Sequence, residues 1–356
     1  MDATISFTPH EHTPLRTLEK IPRKLLEESL TALVTSWPPQ KASQGTCMGF
    51  YQGPTSIAYL FFHLSKSHPQ LDVQGKTPSA WFQDYFDHAP ESNVDESSFG
   101  IASEYYCRLA LEAAHTQDTA PFLGAIQTIK LNDVQEVLLG SAGLLALLRF
   151  VKTFVPSATE KINDAIQTVI DHINKSPWLF HGREYTGAAH GNIGIITQVC
   201  LSGGASTVAD RLSTFLDLQQ KDGNWHSTTD RKHEHMQWCH GVSGCIISLL
   251  VIKRYFPEPL AGRIQAAIEK GQRLIFEEGI IKKEPCLCHG TTGNALALDT
   301  GERNHLLSFA TPGLVAKSEW EGSSDPAGLY CGEAGRAWVW AMLDGGREGL
   351  PVYTDV

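Results

Sequence analysis

The sequence predicts an all-α fold in which about seven helical hairpins close into a ring. Two observations predict this fold class. A short glycine motif followed by an apolar run recurs at a near-constant spacing, which is typical of a repeat architecture. Between the motifs, apolar residues follow one face of a helix, and the alternation typical of strands is weak throughout the chain.

The repeated motif reads Gly-x-x-Gly or Gly-x-x-Ser. The copies begin at Gly53 (GPTS), Gly100 (GIAS), Gly140 (GSAG), Gly191 (GNIG), Gly241 (GVSG), Gly290 (GTTG) and Gly332 (GEAG). The shortest interval between starts, from Gly100 to Gly140, is 40 residues, and the longest, from Gly140 to Gly191, is 51. The motif alone is common, so the prediction rests on its spacing and on the apolar run after each copy.

Each repeat is predicted to contain one inner and one outer helix. The segments directly after the motifs are apolar on most faces, as in residues 144–151, 193–201 and 245–252, and a helix that is apolar all round is buried. The segments between them, such as residues 162–173 and 264–274, place apolar residues on one face only. These are predicted to be outer helices with one buried side.

The hairpins could form an open solenoid or a closed ring. An open solenoid needs terminal repeats with a polar outer face, and neither end of this chain shows one. We therefore expect closure. The loops that carry the motifs then meet around a common centre, where glycine permits close approach of backbones.

The composition of the chain argues against some classes of function. The formal net charge is −10, and no basic stretch could follow nucleic-acid phosphates, so we expect no nucleic-acid partner. No signal peptide is apparent, and the apolar stretches are too short to span a bilayer, which predicts a cytoplasmic protein without an integral membrane segment. We expect an N-terminal arm over residues 1–30 and a single domain over residues 31–356.

Cysteine and histidine residues precede four of the motifs. They are His190, Cys239, His240, Cys286, Cys288, His289 and Cys331. Thiolate and imidazole are the donors that Zn²⁺ prefers, and two Cys-His-Gly copies one repeat apart would converge on the centre of the ring and face one another. The residues themselves do not choose between His240 and His289 as the imidazole ligand.

A zinc site with two thiolates, one imidazole and an open position can bind an external thiol as its thiolate. Activation of water for hydrolysis is the competing use of such a site. Two thiolate ligands reduce the effective charge of the metal, which favours thiol chemistry.

The segments GAAHG, WCHG and CHGTTGNA resemble the motifs of the lanthionine synthetase C-like family, and KKEPCLCHGTTGNA is most similar to its eukaryotic LanC-like branch. The resemblance covers essentially the whole chain. It implies an α,α-toroid (α/α barrel) with inner and outer rings of seven helices. It also implies zinc bound by Cys239, Cys288 and His289, with His190 as the active-site histidine and Lys283 as a second catalytic residue.

The chemistry implied by this resemblance is conjugate addition of a thiol to dehydroalanine or dehydrobutyrine. The expected thiol is glutathione, and the expected electrophile is a dehydrated peptide or protein. His190 would take the thiol proton or protonate the α-carbon, and Lys283 would stabilise the enolate or an anionic substrate.

Other functions stay open at this point. The same ligands would serve a non-catalytic regulatory protein that binds zinc and glutathione, or a tailoring enzyme in small-molecule biosynthesis. A glycosidase would need paired carboxylates at the centre, for which the sequence offers Glu333, Glu184 and Glu104.

Three features have no predicted role in the site. The third motif, GSAGLL, carries no acidic partner for His190, and Cys286 and Cys331 have no assigned function. The charged run over residues 230–235 is predicted to be a solvated loop.

Overall fold

The computed structural model describes residues 6–40, 47–90, 97–318, 320, 325–346 and 348–354 of the chain, with the side chain of His233 excepted. The described part is mainly helical. Its α-helices, numbered α1 to α15 in chain order, are Pro22–Ser36, Pro54–Ser67, Pro78–His88, Glu104–Thr116, Ala120–Thr128, Ser141–Phe154, Thr159–Lys175, Asn192–Val199, Ala209–Asp217, Val242–Ile252, Leu260–Glu278, Thr291–Ala295, Thr300–Leu307, Pro312–Val315 and Glu333–Asp344.

Inner and outer helices alternate along the chain. The inner helices are α2, α4, α6, α8, α10, α12 and α15, and the outer helices are α1, α3, α5, α7, α9, α11 and α13. All eight residues of α8 are buried. By contrast, α7 buries one face through Ile162, Ile166, Val169, Ile170 and Ile173. The predicted two-ring α,α-toroid is confirmed.

A ring of backbone hydrogen bonds joins the seven loops that precede the inner helices. In each bond the backbone N–H of the first residue donates to the backbone carbonyl of the second. The pairs are Phe50 and Ile101 (2.9 Å), Ile101 and Val137 (3.2 Å), Val137 and Ala189 (3.0 Å), Ala189 and Cys239 (3.5 Å), Cys239 and Cys288 (3.2 Å), Cys288 and Tyr330 (2.8 Å), and Tyr330 and Tyr51 (3.0 Å). The last bond returns to the first loop, and α1 packs against α15. The toroid is therefore closed.

The second glycine of the motif is required by this packing. A Cβ atom added at Gly143, Gly194, Gly244, Gly293 or Gly335 would lie 1.9–2.2 Å from the carbonyl oxygen six residues earlier in the chain. Real Cβ atoms do not approach so closely, so each of these five inner helices can rest on its own loop only because a side chain is absent at this position.

The predicted register of the second repeat was wrong. In six repeats the first glycine of the motif is the N-cap of the inner helix, but α4 begins at Glu104 with Ser103 as its N-cap. Gly100 therefore lies three residues before the cap position. It serves a different purpose, because a Cβ there would lie 2.5 Å from the carbonyl oxygen of Leu138 in the next loop.

The charged run near residue 230 forms part of an antiparallel hairpin. Strand β1 is His226–Thr228 and strand β2 is Arg231–Glu234. The prediction of a loop over residues 230–235 was wrong for Arg231–Glu234, which form strand β2. Backbone pairing with β1 organises this segment, although its side chains are largely exposed.

The N-terminal segment lies against the outer surface of the ring. The N–H of Thr8 donates to the carbonyl of Ile280 (2.6 Å), and His10 contacts His305 at 2.9 Å. The division into an arm over residues 1–30 and a domain from residue 31 stays a prediction. Among the described helices, none has the length and apolar character needed to cross a membrane.

Candidate functional site

The loops before the inner helices bring the predicted site residues to one end of the ring. His190, His240 and His289 each directly precede the N-cap glycine of an inner helix. Cys239 and Cys288 stand one position earlier, and the N–H of Cys239 donates to the carbonyl of Cys288 at 3.2 Å. The repeat therefore gives these residues a common register around one centre.

Two thiols contact the hydroxyl of Tyr51, and a third thiol lies beside one of them. The Tyr51 hydroxyl donates to Sγ of Cys288 at 3.1 Å, and Cys331 donates to the Tyr51 oxygen at 3.3 Å. Sγ of Cys288 also lies within hydrogen-bonding distance of the Cys239 and Cys331 thiols. The Cys239 thiol and burial together raise the pKa of Cys288 well above its usual value.

His289 lies beside this thiol cluster in sequence and is half-buried. Its backbone N–H donates to Sγ of Cys286 at 3.5 Å, which gives the buried Cys286 a structural role. Burial and the nearby charge of Lys283 lower the pKa of His289, so its imidazole is neutral at pH 7. Lys283 is thus close enough to act electrostatically on the same region.

The donor chemistry at the centre suits zinc, because it combines soft thiols with an imidazole. The Cys239 and Cys288 thiols are close enough to interact with each other. Within the residues that the structure describes, no group of three or more His, Cys, Asp or Glu side chains is arranged to hold a metal ion. Binding through Cys239, Cys288 and His289 therefore requires local rotation of these side chains.

His190 is held by an acidic residue that the sequence analysis missed. Its Nδ1 donates to Oε2 of Glu136 at 2.9 Å, and its ring stacks on Phe180 with centroids 4.4 Å apart. Glu136 is 2% exposed and also accepts the N–H groups of Leu138 (2.8 Å) and Leu139 (2.5 Å). This carboxylate fixes the orientation of the imidazole and leaves Nε2 for chemistry.

A signal for Glu136 existed in the sequence. It lies four residues before Gly140, in the loop that precedes the third inner helix, and the cysteines and histidines of later repeats also precede their motifs. The motif itself, GSAGLL, begins at Gly140 and carries no acidic residue, so no partner for His190 was predicted in the third repeat.

His240 lies on the His190 side of the centre. Its ring centroid is 5.8 Å from those of His190 and Tyr185. Burial, with smaller contributions from His190 and His235, lowers the pKa of His240 to about 4. His240 is therefore a neutral hydrogen-bonding group at pH 7.

A buried ion cluster supports the loop of the sixth repeat. Nη2 of Arg336 donates to Glu333 at 2.6 Å, and Nη1 donates to Oε1 of Glu284 at 3.0 Å and to the carbonyl of Pro285 at 2.6 Å. Arg336 is 2% exposed. Lys283 and Cys286 flank the two residues, Glu284 and Pro285, that Arg336 binds. Arg336 therefore fixes the segment that leads into Cys288.

The three candidate glycosidase carboxylates all have structural partners. Glu333 pairs with Arg336, and Glu184 accepts from Asn192 at 2.7 Å. Glu104 accepts from Thr55 and from the N–H of Gly49 at 2.9 Å. None of these observations brings two carboxylates together across a substrate site, so the arrangement gives no support to glycoside hydrolysis.

Comparison with known proteins agrees with the motifs. The family model described as lanthionine synthetase C-like protein matches residues 12–345. The chain belongs to this family. The solved structure of nisin cyclase superposes with a TM-score of 0.64 at 12% identity, covering 91% of this chain and 95% of that one. This match shows that the LanC-like toroid is shared.

Curated relatives match this chain over parts of its length. The Danio rerio protein named glutathione S-transferase LANCL1 is 26% identical over 253 residues, 68% of this chain and 55% of the relative. LanC-like protein GCL1 of Arabidopsis thaliana is 33% identical over 125 residues, 33% of this chain and 28% of the relative.

A bacterial protein also matches part of this chain. The Lactococcus lactis subsp. lactis lacticin 481/lactococcin biosynthesis protein LcnDR2 is 25% identical over 193 residues, 50% of this chain and 20% of the relative. The alignments thus span about half or less of the length of these curated relatives.

Proposed function

We propose that this chain is a zinc-dependent enzyme that adds a thiol, with glutathione as the first candidate, to dehydroamino acid residues in peptides or proteins. The observation that carries the proposal is the His190–Glu136 pair, in the same ring of loops as the Cys239 and Cys288 thiols. Family membership and the name glutathione S-transferase of one relative support it. We further propose that it acts in the cytoplasm.

The reaction joins two molecules without a by-product. The thiol sulfur bonds to the β-carbon of the dehydroamino acid, and the electron pair of the C=C bond moves towards the α-carbon and its carbonyl. The proton that the thiol loses is balanced by the proton that the α-carbon gains. Zinc bound by Cys239, Cys288 and His289 would keep the thiol as its thiolate at neutral pH.

His190 is suited to move the proton. Glu136 accepts a hydrogen bond from Nδ1–H of His190, so Nε2 carries the lone pair that would take the proton of the thiol. The resulting imidazolium, stabilised by the Glu136 carboxylate, then protonates the α-carbon. Phe180 stacks on the ring and limits its rotation.

Lys283 is suited to stabilise negative charge. Its ammonium group is close enough to His289 to lower the pKa of that imidazole, which places positive charge beside the proposed zinc ligands. An enolate oxygen that develops during addition, or a carboxylate of glutathione, would be attracted to this charge.

The test compares His190→Ala with the wild-type protein, using glutathione and a dehydroalanine peptide and detecting the adduct by mass spectrometry. We expect His190→Ala to bind glutathione as the wild type does, while adduct formation slows by about 10²–10⁴-fold. His115→Ala is the matched control, because His115 is exposed on α4. It should react at the wild-type rate.

Two outcomes would contradict the proposal. An unchanged rate in His190→Ala would remove His190 from the reaction. A wild-type protein that binds zinc and glutathione but forms no adduct would favour the non-catalytic regulatory protein, or a tailoring enzyme with another electrophile.

A further inference from the structure

The first repeat carries a tyrosine at the register position where the fifth and sixth repeats carry cysteine. Tyr51 stands two residues before Gly53, the N-cap of α2. Cys288 stands in the same way two residues before Gly290, the N-cap of α12. This common register brings the phenol of the first repeat to the thiol of the sixth.

The hydroxyl of Tyr51 lies between two sulfur atoms. It donates to Sγ of Cys288 at 3.1 Å, and its oxygen accepts from the Cys331 thiol at 3.3 Å. A phenol has a single proton to donate, so the bond from Cys331 to the oxygen leaves that proton for Cys288. The three groups therefore form one chain of hydrogen bonds, and each bond of such a chain polarises the next.

The backbone and the ring of Tyr51 are both held on this side of the site. The N–H of Tyr330 donates to the carbonyl of Tyr51 at 3.0 Å, and the N–H of Cys288 donates to the carbonyl of Tyr330 at 2.8 Å. The rings of Tyr51 and Tyr330 stack with their centroids 5.3 Å apart and their planes at 16°. These contacts fix the position of the hydroxyl oxygen beside Cys288.

The direction of the hydrogen bond suits a thiolate better than a thiol. A sulfur that carries negative charge accepts a hydrogen bond more strongly than a neutral one, because the bond is then charge-assisted. The Cys239 thiol, by contrast, lies 3.4 Å from the side-chain oxygen of Gln237, which can only accept. Of the two cysteines proposed to bind zinc, Cys288 is therefore the one that meets a hydroxyl donor.

We propose that Tyr51 is a positioning residue of the zinc site, donating its hydroxyl proton to the Cys288 thiolate, and that Cys331 orients this hydroxyl. This inference rests on the proposed zinc-dependent function. The hydroxyl hydrogen turns about its C–O bond, so the contact can follow the rotation of Cys288 that metal binding requires. A donor on one thiolate lowers the negative charge that it passes to the metal, which leaves more positive charge for the substrate thiol.

Zinc affinity and the spectrum of the cobalt form test the proposal without using activity. Tyr51→Phe keeps the stacked ring and removes the hydroxyl, so zinc should bind about 10–100-fold more weakly in competition with a chelator. The thiolate-to-cobalt charge-transfer absorption should move to longer wavelength, because a thiolate without its donor gives up an electron more easily. Tyr85→Phe removes a buried hydroxyl that donates to the Trp37 carbonyl in the outer ring, and it should change neither quantity.

Two further proteins separate hydrogen bonding from packing. Fluorine at the 3-position of the Tyr51 ring makes the hydroxyl a stronger donor, so this protein should absorb at shorter wavelength than the wild type. Cys331→Ala leaves the Tyr51 hydroxyl against Cys288, so its shift should be smaller than that of Tyr51→Phe. A larger shift in Cys331→Ala would overturn the order of the chain.

The outcomes distinguish this inference from the proposed function. Unchanged zinc affinity and an unchanged cobalt spectrum in folded Tyr51→Phe would overturn the inference and leave the proposed enzyme intact. Where Tyr51→Phe does not fold, the fluorinated protein decides, and an unshifted spectrum there would also overturn the inference. A wild-type protein that binds neither zinc nor cobalt would overturn both.

Discussion

Nδ1 of His190 donates a 2.9 Å hydrogen bond to Glu136, a residue 54 positions earlier in the chain and one repeat away in the ring. The N–H of Val137 donates to the carbonyl of Ala189 at 3.0 Å, so the backbone next to each member of the pair is also joined. The histidine proposed to be catalytic is therefore oriented by a carboxylate from the neighbouring third repeat, in addition to Phe180 of its own repeat.

This relationship predicts that Glu136→Gln slows thiol addition more than it weakens thiol binding. A neutral amide cannot stabilise the imidazolium form of His190, and it can rotate the ring by offering a donor to Nδ1. We expect kcat to fall by about 10²-fold with KM little changed. Steady-state kinetics with glutathione and a dehydroalanine peptide measure both constants.

Glu104→Gln is the matched control for this substitution. Glu104 is also a buried carboxyl group that accepts a backbone N–H, and burial raises its pKa to about 7. Glutamine mimics its protonated form, so folding and kcat should stay close to wild type. Equal loss of kcat in both variants would show that disturbance of the ring, and not the His190 contact, is responsible.

Arg336→Met should destabilise the protein strongly. The substitution leaves the carboxylates of Glu333 and Glu284 buried without their cation, which costs about 3–5 kcal/mol of the free energy of unfolding. Arg263→Met is the control, because its pair with Asp217 is solvent-exposed and should contribute at most about 1 kcal/mol. Urea unfolding compares the two. An equal loss of unfolding free energy in the two variants would contradict a stabilising role for the buried ion cluster of Arg336.

Two helical glycines should respond to alanine in opposite directions. In Gly244→Ala the new Cβ would lie 2.0 Å from the carbonyl oxygen of Trp238, so the free energy of unfolding should fall by about 3 kcal/mol. Gly124 in α5 has open space around it, and Gly124→Ala should stabilise by about 0.5–1 kcal/mol. Thermal unfolding measures both, and a tolerated Gly244→Ala would argue against the inferred close packing.

The contact of His10 with His305 predicts a loss of stability in acid. Burial lowers the pKa of both histidines below the ordinary 6.5, so below that pH the unfolded chain binds protons more readily than the folded one. The free energy of unfolding should therefore fall as pH drops from about 7 to about 5. His305→Gln should flatten this dependence in thermal melts. An identical slope in the variant would contradict the assignment.

The fold class could be predicted from the sequence because six of the seven inner helices begin after a motif glycine and most of their residues are apolar and buried. The spacing of the motifs and helices such as α7 and α10 therefore led directly to a ring of hairpins. The second repeat was misregistered because Ser103 replaces the cap glycine while Gly100, needed for packing on Leu138, imitates a motif start.

The candidate site was predicted less completely, because its contacts cross repeats. Glu136 of the third repeat contacts His190 of the fourth, and Cys331 of the seventh repeat is linked to Cys288 of the sixth through Tyr51 of the first. No local pattern in any one repeat encodes these pairs. The hairpin of β1 and β2 was missed for a different reason, because its two strands are very short and show no apolar alternation.

Zinc content of the freshly purified protein tests the central claim most directly. Elemental analysis of the wild type should find stoichiometric zinc, and Cys239→Ala and Cys288→Ala should each lose it while staying folded. Cys245→Ala, whose buried thiol lies on an inner helix outside the cluster, should retain it. A zinc-free wild type, or full zinc in both cluster variants, would contradict the account.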